Sequence, residues 1–258
     1  MSVSDLYYEE SGAASSPAVV LGSSLGTTHA MWAPVALSLA RSRRVVAYDH
    51  RGHGRSPLPH GRSDIADLGA DVLALLDRLE LERVSYVGTS LGGMVGLWLA
   101  ANAPQRIERL VCVCSSPYLP PAQGWAARAA RVREAGSVAA VADEVLARWF
   151  TARYADAHRD VVEPIGKTLR ESPAEGYASC CEVIERLDLR DQLALITTPT
   201  LAIAAAEDRA IPPEHSRAIV AGVLGARFEL LSHGAHLAAV ECAPEVTALI
   251  ERHLEEER

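Results

Sequence analysis

Short apolar runs alternate with stretches of helical periodicity along most of the chain. Ala18-Val19-Val20-Leu21, Val45-Val46-Ala47-Tyr48, Val84-Ser85-Tyr86-Val87 and Leu110-Val111-Cys112-Val113 show no polar alternation, the pattern of strands buried on both faces. Between them helical patterns fall at roughly 31–41, 64–80 and 91–103. In the second of these, Ile65, Leu68, Val72, Leu75, Leu76 and Leu79 mark one apolar face. Strand followed by helix, repeated, predicts a mostly parallel sheet flanked by helices. The rhythm breaks at Pro117, with Pro120 and Pro121 close behind, and from there to about 185 the chain is Ala-rich and helix-like, without a convincing strand. Strand patterns resume at Thr200-Leu201-Ala202-Ile203-Ala204-Ala205-Ala206 and at Arg227-Phe228-Glu229-Leu230-Leu231, and a helix is expected near 243–255. The expected organisation is one α/β core, residues 1–117 and 186–258, interrupted by a helical cap insertion over 118–185.

Composition narrows the function. With 258 residues, 49% of them hydrophobic, the chain can bury a sizeable core and is not a disordered polymer. No apolar run approaches the roughly 20 residues of a membrane span. The net charge of −8 leaves no basic footprint for nucleic acid. Of the 25 basic residues one is a lysine, Lys167, so amine chemistry has a single candidate. The start, Met1-Ser2-Val3-Ser4-Asp5-Leu6, lacks the charged and apolar regions of a signal peptide. Five cysteines, two of them adjacent at Cys180-Cys181, form neither a disulfide framework nor zinc-ligand spacing. Buried free thiols in a reducing cytoplasm are the expectation. Neither a zinc-protease pair of histidines nor a calcium loop occurs, so no metal and no cofactor is expected.

Gly88-Thr89-Ser90-Leu91-Gly92 sits where a buried strand gives way to a helix. In that setting G-x-S-x-G places a serine on a strained turn, its hydroxyl exposed at the sheet edge, with small neighbours that let strand and helix approach. Such a nucleophile needs a base and an orienting acid. His236 follows the strand ending near Leu231, and Asp208 follows the strand before it. Both lie beyond strand C-terminal ends, where open α/β sheets place their sites, and the order Ser90, Asp208, His236 is that of α/β-hydrolase triads. His233 and Glu207 are weaker alternates. An oxyanion hole would use the Leu91 amide, next to the nucleophile, and the Leu25 amide of Gly22-Ser23-Ser24-Leu25-Gly26. Asp49-His50-Arg51-Gly52-His53-Gly54-Arg55-Ser56 lacks the fuller His/Asp cluster of a metallo-lactonase and reads as an Arg-braced turn.

On these residues the chain resembles the α/β-hydrolase superfamily over its full length, and within it the 3-oxoadipate enol-lactonases. The narrower resemblance rests on Ser24-Leu25-Gly26-Thr27 with Met31-Trp32, on Tyr48 to Gly54, and on Ser90-Leu91-Gly92-Gly93-Met94-Val95-Gly96. It extends to Leu146-Ala147-Arg148-Trp149-Phe150, Glu175-Gly176-Tyr177-Ala178-Ser179-Cys180-Cys181 and Ala235-His236-Leu237-Ala238. The chain departs from these lactonases at Ser23 and Ala239, where Asn is usual, and at Thr89, where Leu is.

The resemblance implies hydrolysis of a small anionic enol-lactone through an acyl-enzyme, without a cofactor. An anionic substrate in an acidic protein needs a locally positive site. Residues 118–141 carry Arg128, Arg131 and Arg133 against the single Glu134. One of these arginines is expected to grip the substrate carboxylate, with Trp149 as an apolar wall and Ser24 as a further contact. A broader carboxylesterase and a non-catalytic hydrolase-fold binding protein are the competing readings.

Overall fold

The computed structural model describes residues 5–58 and 61–255. Residues 1–4, within the Met1–Leu6 stretch from which no signal peptide is expected, lie outside it. Seven strands form one sheet: β1 (Tyr8–Ser11), β2 (Ala18–Gly22), β3 (Arg44–Tyr48), β4 (Val84–Thr89), β5 (Ile107–Val113), β6 (Thr200–Ala205) and β7 (Arg227–Leu231). Their spatial order is β1-β3-β2-β4-β5-β6-β7, with β1 antiparallel to β3 and every other pair parallel. All six residues of β4 are buried, as its unbroken apolar pattern requires of a strand covered on both faces.

The connections are helical. Helices α1 (Ala33–Leu39), α2 (Ile65–Arg78) and α3 (Leu91–Asn102) follow β2, β3 and β4. Between β5 and β6, among the described residues, lie α4 (Ala122–Ala135), α5 (Ala139–Trp149), α6 (Ala152–Ala157), α7 (Arg159–Glu171) and α8 (Ala174–Arg186). Helix α9 (Pro213–Gly222) joins β6 to β7, and the short α10 (Ala238–Glu241) and α11 (Ala243–Glu255) follow β7. Three elements go beyond the sequence expectation, one of them the four-residue α10. Strand β1 is polar and mostly exposed, an edge with no apolar face to announce it, and α9 follows a Pro-Pro step. Among the described residues no helix is long and apolar enough to cross a membrane.

Strand order decides where a site forms. After β2 the chain moves outward to β3, then returns so that β4 pairs with the other side of β2. The loops leaving β2 and β4 therefore diverge and open a crevice at the carboxyl ends of adjacent strands, the switch point of an open α/β sheet. Gly22 and Gly88, the strand residues that lead into Ser24 and Ser90, are register partners there.

The turn after β3 is anchored to α2 by a buried ion pair. Arg51 and Asp71 are 4% and 1% exposed. Arg51 donates from Nε and Nη2 to the two Asp71 oxygens at 2.6 and 2.7 Å, and from Nη1 to the Ser63 hydroxyl at 2.8 Å. Helix α2 begins with a reciprocal capping box between Asp64 and Asp67, which fixes the rotation that aims Asp71 inward. Removing one partner strands a buried charge. Asp71→Ala is therefore expected to lower the unfolding free energy by about 3–5 kcal/mol in urea titrations, far more than the ~1 kcal/mol of a surface pair. A surface-like loss would show that the pair does not anchor the turn.

Candidate active site

Ser90 leaves β4 with φ 55° and ψ −115°, a left-handed backbone rare for a residue with a side chain. Its surroundings hold it there. The Ser90 amide donates to the Val113 carbonyl at 3.0 Å, and the Ser90 carbonyl accepts from the Ser115 hydroxyl at 2.8 Å. The glycines flanking the turn are dictated by backbone proximity. A Cβ on Gly92 would lie 2.1 Å from the Gly22 carbonyl oxygen, and one on Gly88 would lie 2.2 Å from the Gly92 carbonyl carbon. Strand and helix come together at van der Waals distance only without side chains at both places.

The same contact positions the loop after β2. The Ser23 carbonyl accepts from the Gly92 amide at 3.1 Å and from His50 Nε2 at 2.9 Å. The loop carrying Ser24 and Leu25 is thus tied to the start of α3 and to the turn after β3. Among the described residues neither the Leu25 nor the Leu91 amide has an intramolecular acceptor, although the two residues are 6% and 0% exposed. Two buried, unengaged donors beside one serine hydroxyl are what a developing oxyanion requires.

Asp208 and His236 are each 3% exposed. One Asp208 oxygen accepts from the Ala210 and Ile211 amides at 2.8 and 2.9 Å, which fixes the carboxylate plane. The other accepts from His236 Nδ1 at 2.9 Å. With Nδ1 donating, Nε2 is the basic nitrogen. His236 and Ser90 line one cavity. The alternates lie elsewhere: His233 pairs with Glu245 at 3.5 Å, and Glu207 meets Arg153, all four partly exposed.

The cavity and its solvent-open mouth together span about 470 Å3 of non-atom space. Ser24, Leu25, Ser90 and His236 form its floor. The insertion contributes Trp125, Arg128, Arg148, Trp149 and Tyr177. Of the three arginines expected at the carboxylate, only Arg128 lines it, its guanidinium 4.6 Å from the Trp125 ring centroid. Arg131 is drawn to Glu144 at 2.8 Å, and Arg133 is drawn across to Glu175 on α8 at 2.7 Å and to Glu182. Those three ion pairs hold both side chains away from the cavity. Arg148 takes a place at its wall that residue counting over 118–141 had missed; the signal lay in the Leu146–Phe150 motif. Among the described residues neither Arg128 nor Arg148 has a carboxylate partner. All five cysteines are free and buried, and no three His, Cys, Asp or Glu side chains among the described residues converge as metal ligands would.

A family model for the alpha/beta hydrolase fold matches residues 17–241. The chain belongs to the α/β-hydrolase family. Among curated relatives, a 3-oxoadipate enol-lactonase of Acinetobacter baylyi is 36% identical over 92% of this chain and 88% of its own. A putative carbamate hydrolase, RutD, of Variovorax paradoxus is 34% identical over 91% of this chain and 90% of its own. Among solved structures, the enol-lactonase of Burkholderia xenovorans superimposes with a TM-score of 0.95 at 37% identity, covering 98% of this chain and 97% of that one. This α/β hydrolase therefore has lactone-cleaving relatives that match it nearly end to end.

His50, which holds the Ser23 carbonyl, gives the hydrolase an acid-sensitive joint. Burial, with His53 close by, pushes the His50 ring down to about 3, and burial lowers His53 as well. Both rings are neutral in the folded chain, whereas unfolded histidines titrate near about 6.5. As pH falls below that value the unfolded chain binds protons that the folded chain refuses, so stability is lost toward pH 3. His29 opposes this: its hydrogen bond to Asp49 raises its pKa, so its contribution is present below about 6.5 and lost as pH rises through the folded value. Urea midpoints between pH 4.5 and 7.5 should fall on acidification, and His50→Gln should flatten the slope by about one proton. Parallel slopes would show that the ring takes up its proton while folded.

Proposed function

We propose that this protein is a serine hydrolase that opens a small enol-lactone bearing a carboxylate, of the 3-oxoadipate enol-lactone type, through an acyl-enzyme. The observation that carries the reading is the cavity's composition. It joins a strained serine and an Asp-oriented histidine to two guanidinium groups, Arg128 and Arg148, that lack a carboxylate of their own. In a chain of net charge −8, uncompensated cations in an apolar-walled cavity favour an anionic ligand.

His236 Nε2 takes the Ser90 proton as Oγ attacks the lactone carbonyl, and the oxyanion is received by the Leu25 and Leu91 amides. Collapse breaks the ring C–O bond as His236 hands the serine proton to the departing enolate oxygen, so the imidazole is neutral again and the acyl chain stays on Ser90 with the enol still tethered. Ring closure would reverse the step, but tautomerisation of the enol to a ketone removes the returning nucleophile. Water deprotonated by His236 then attacks the ester and releases a diacid. Asp208 holds the imidazole tautomer throughout and stabilises the imidazolium.

The Variovorax relative supports a second reading, hydrolysis of a carbamate on the same serine and histidine. That substrate would release a nitrogen leaving group, which His236 must protonate. Loss of the lactone's ultraviolet absorbance and ammonia release from a carbamate separate the two. We expect rapid lactone opening, abolished by Ser90→Ala. Arg128→Ala and Arg148→Ala should each raise KM for the lactone about tenfold, as lost charged hydrogen bonds do, and leave a neutral aryl acetate unaffected. Faster turnover of the carbamate, or equal losses on the neutral ester, would overturn the lactone assignment.

A further inference from the structure

His236 sits in a stretch with no regular structure between β7 and α10, yet the residues on both sides of it are committed to the insertion. On one side the Leu237 amide donates to the Trp149 carbonyl at 2.9 Å. On the other, the Ala235 amide donates to Glu241 Oε2 at 3.2 Å. That carboxylate also accepts from the Thr151 amide at 3.1 Å and from the Thr151 hydroxyl. Thr151 N-caps α6, two residues beyond Trp149, which is 3% exposed and lines the cavity. One carboxylate on α10 thus gathers three donors, one from the His236 loop and two from the segment that carries the cavity wall. The neighbouring acid loop is joined to the same unit, because the Glu207 amide donates to the Gly234 carbonyl at 3.1 Å and Arg153 of α6 reaches Glu207.

We propose that Glu241 is a positioning residue: through Thr151 and Ala235 it sets the placement of His236 against Ser90 by that of the Trp149 wall. An error of about 1 Å at a catalytic base costs orders of magnitude in rate. A loop with few ordered bonds of its own gains its accuracy from the partner it is tied to. Thr151→Val keeps the shape but removes both the hydroxyl's bond to Glu241 and its α6 cap on the Tyr154 amide, whereas Glu241→Gln leaves that cap intact and replaces one acceptor oxygen with an NH2 group that faces donors.

The proposal rests on the serine–histidine reading of the site, and its test avoids the lactone. The probe is diethyl 4-nitrophenyl phosphate. Ser90 Oγ forms the P–O bond, His236 takes the serine proton, and 4-nitrophenolate leaves in a stoichiometric burst. Thr151→Val and Glu241→Gln, each checked for a cooperative melt well above the assay temperature, should slow the burst about tenfold and move the pH midpoint of its rate. Thr151→Ser should restore the rate. Wild-type rates and midpoints in both folded variants would overturn the proposal. A burst that survives Ser90→Ala would overturn the serine reading and this proposal together. Failure to open the lactone beside a normal burst would remove the substrate assignment alone and leave Glu241's role standing.

Discussion

The structure depends on one backbone contact, the approach of α3 to the end of β2 at Gly92 and Gly22. A Cβ at Gly92 would sit inside the Gly22 carbonyl, so helix and strand meet with nothing between them. That proximity lets the Gly92 amide reach the Ser23 carbonyl and ties the loop carrying Leu25 to the start of the helix that follows Ser90. It also sustains the positive φ of Ser90, a conformation costing about 1–3 kcal/mol that persists only when its surroundings over-determine it. The strain is supported by the most deeply buried part of the molecule, where β4 and most of α3 are hidden. The strained Ser90 and its immediate surroundings are therefore a property of the core.

The charge distribution follows a different logic from the net charge. The acidic total says little about the ligand, because many charges face one another at the surface. Arg133 with Glu175 and Glu182, Arg131 with Glu144, and Arg170 with Asp143 are exposed or half-exposed pairs of small energetic weight. Arg128 and Arg148 enter no such pair, and unlike the other arginines they line the cavity. Planar guanidinium groups suit this role, since Arg128 can stack on Trp125 and still offer donors to a carboxylate.

The core was legible in the sequence because burial on both faces leaves a signature that needs no knowledge of the partner. Strands β2 to β6 announce themselves as apolar runs, whereas β1, polar and mostly exposed, carries no such mark. Ser90, Asp208 and His236 could be named because each follows a strand end, a place fixed by topology. The insertion was legible as helices but not as a surface. Arg128 and Arg133 lie five residues apart on α4, about 140° around a helix of roughly 100° per residue. Which of them meets the cavity is decided by how α4 lies on α8, a tertiary fact no count of arginines contains. Tyr177 and Arg148 reach the cavity for the same reason, and their only trace in the sequence was a resemblance to particular lactonases.

The two halves of the site are thus built by unlike means. Ser90 is locked by close-packed glycines and a buried sheet, while His236 lies on an irregular segment whose flanking amides bond to the insertion and to α10. A change in the insertion would leave Ser90 in place and would reach both the cavity walls and His236. Gly26 and Gly176 show how tightly the parts are joined. A Cβ on Gly26 would meet Leu169 of α7, and one on Gly176 of α8 would lie 2.0 Å from the Gly52 carbonyl oxygen. The insertion therefore closes directly on the loop after β2 and on the turn after β3. A fold that keeps its nucleophile in the core and borrows its cavity walls from an insertion can alter specificity by repacking helices, provided the ties on either side of His236 move with them.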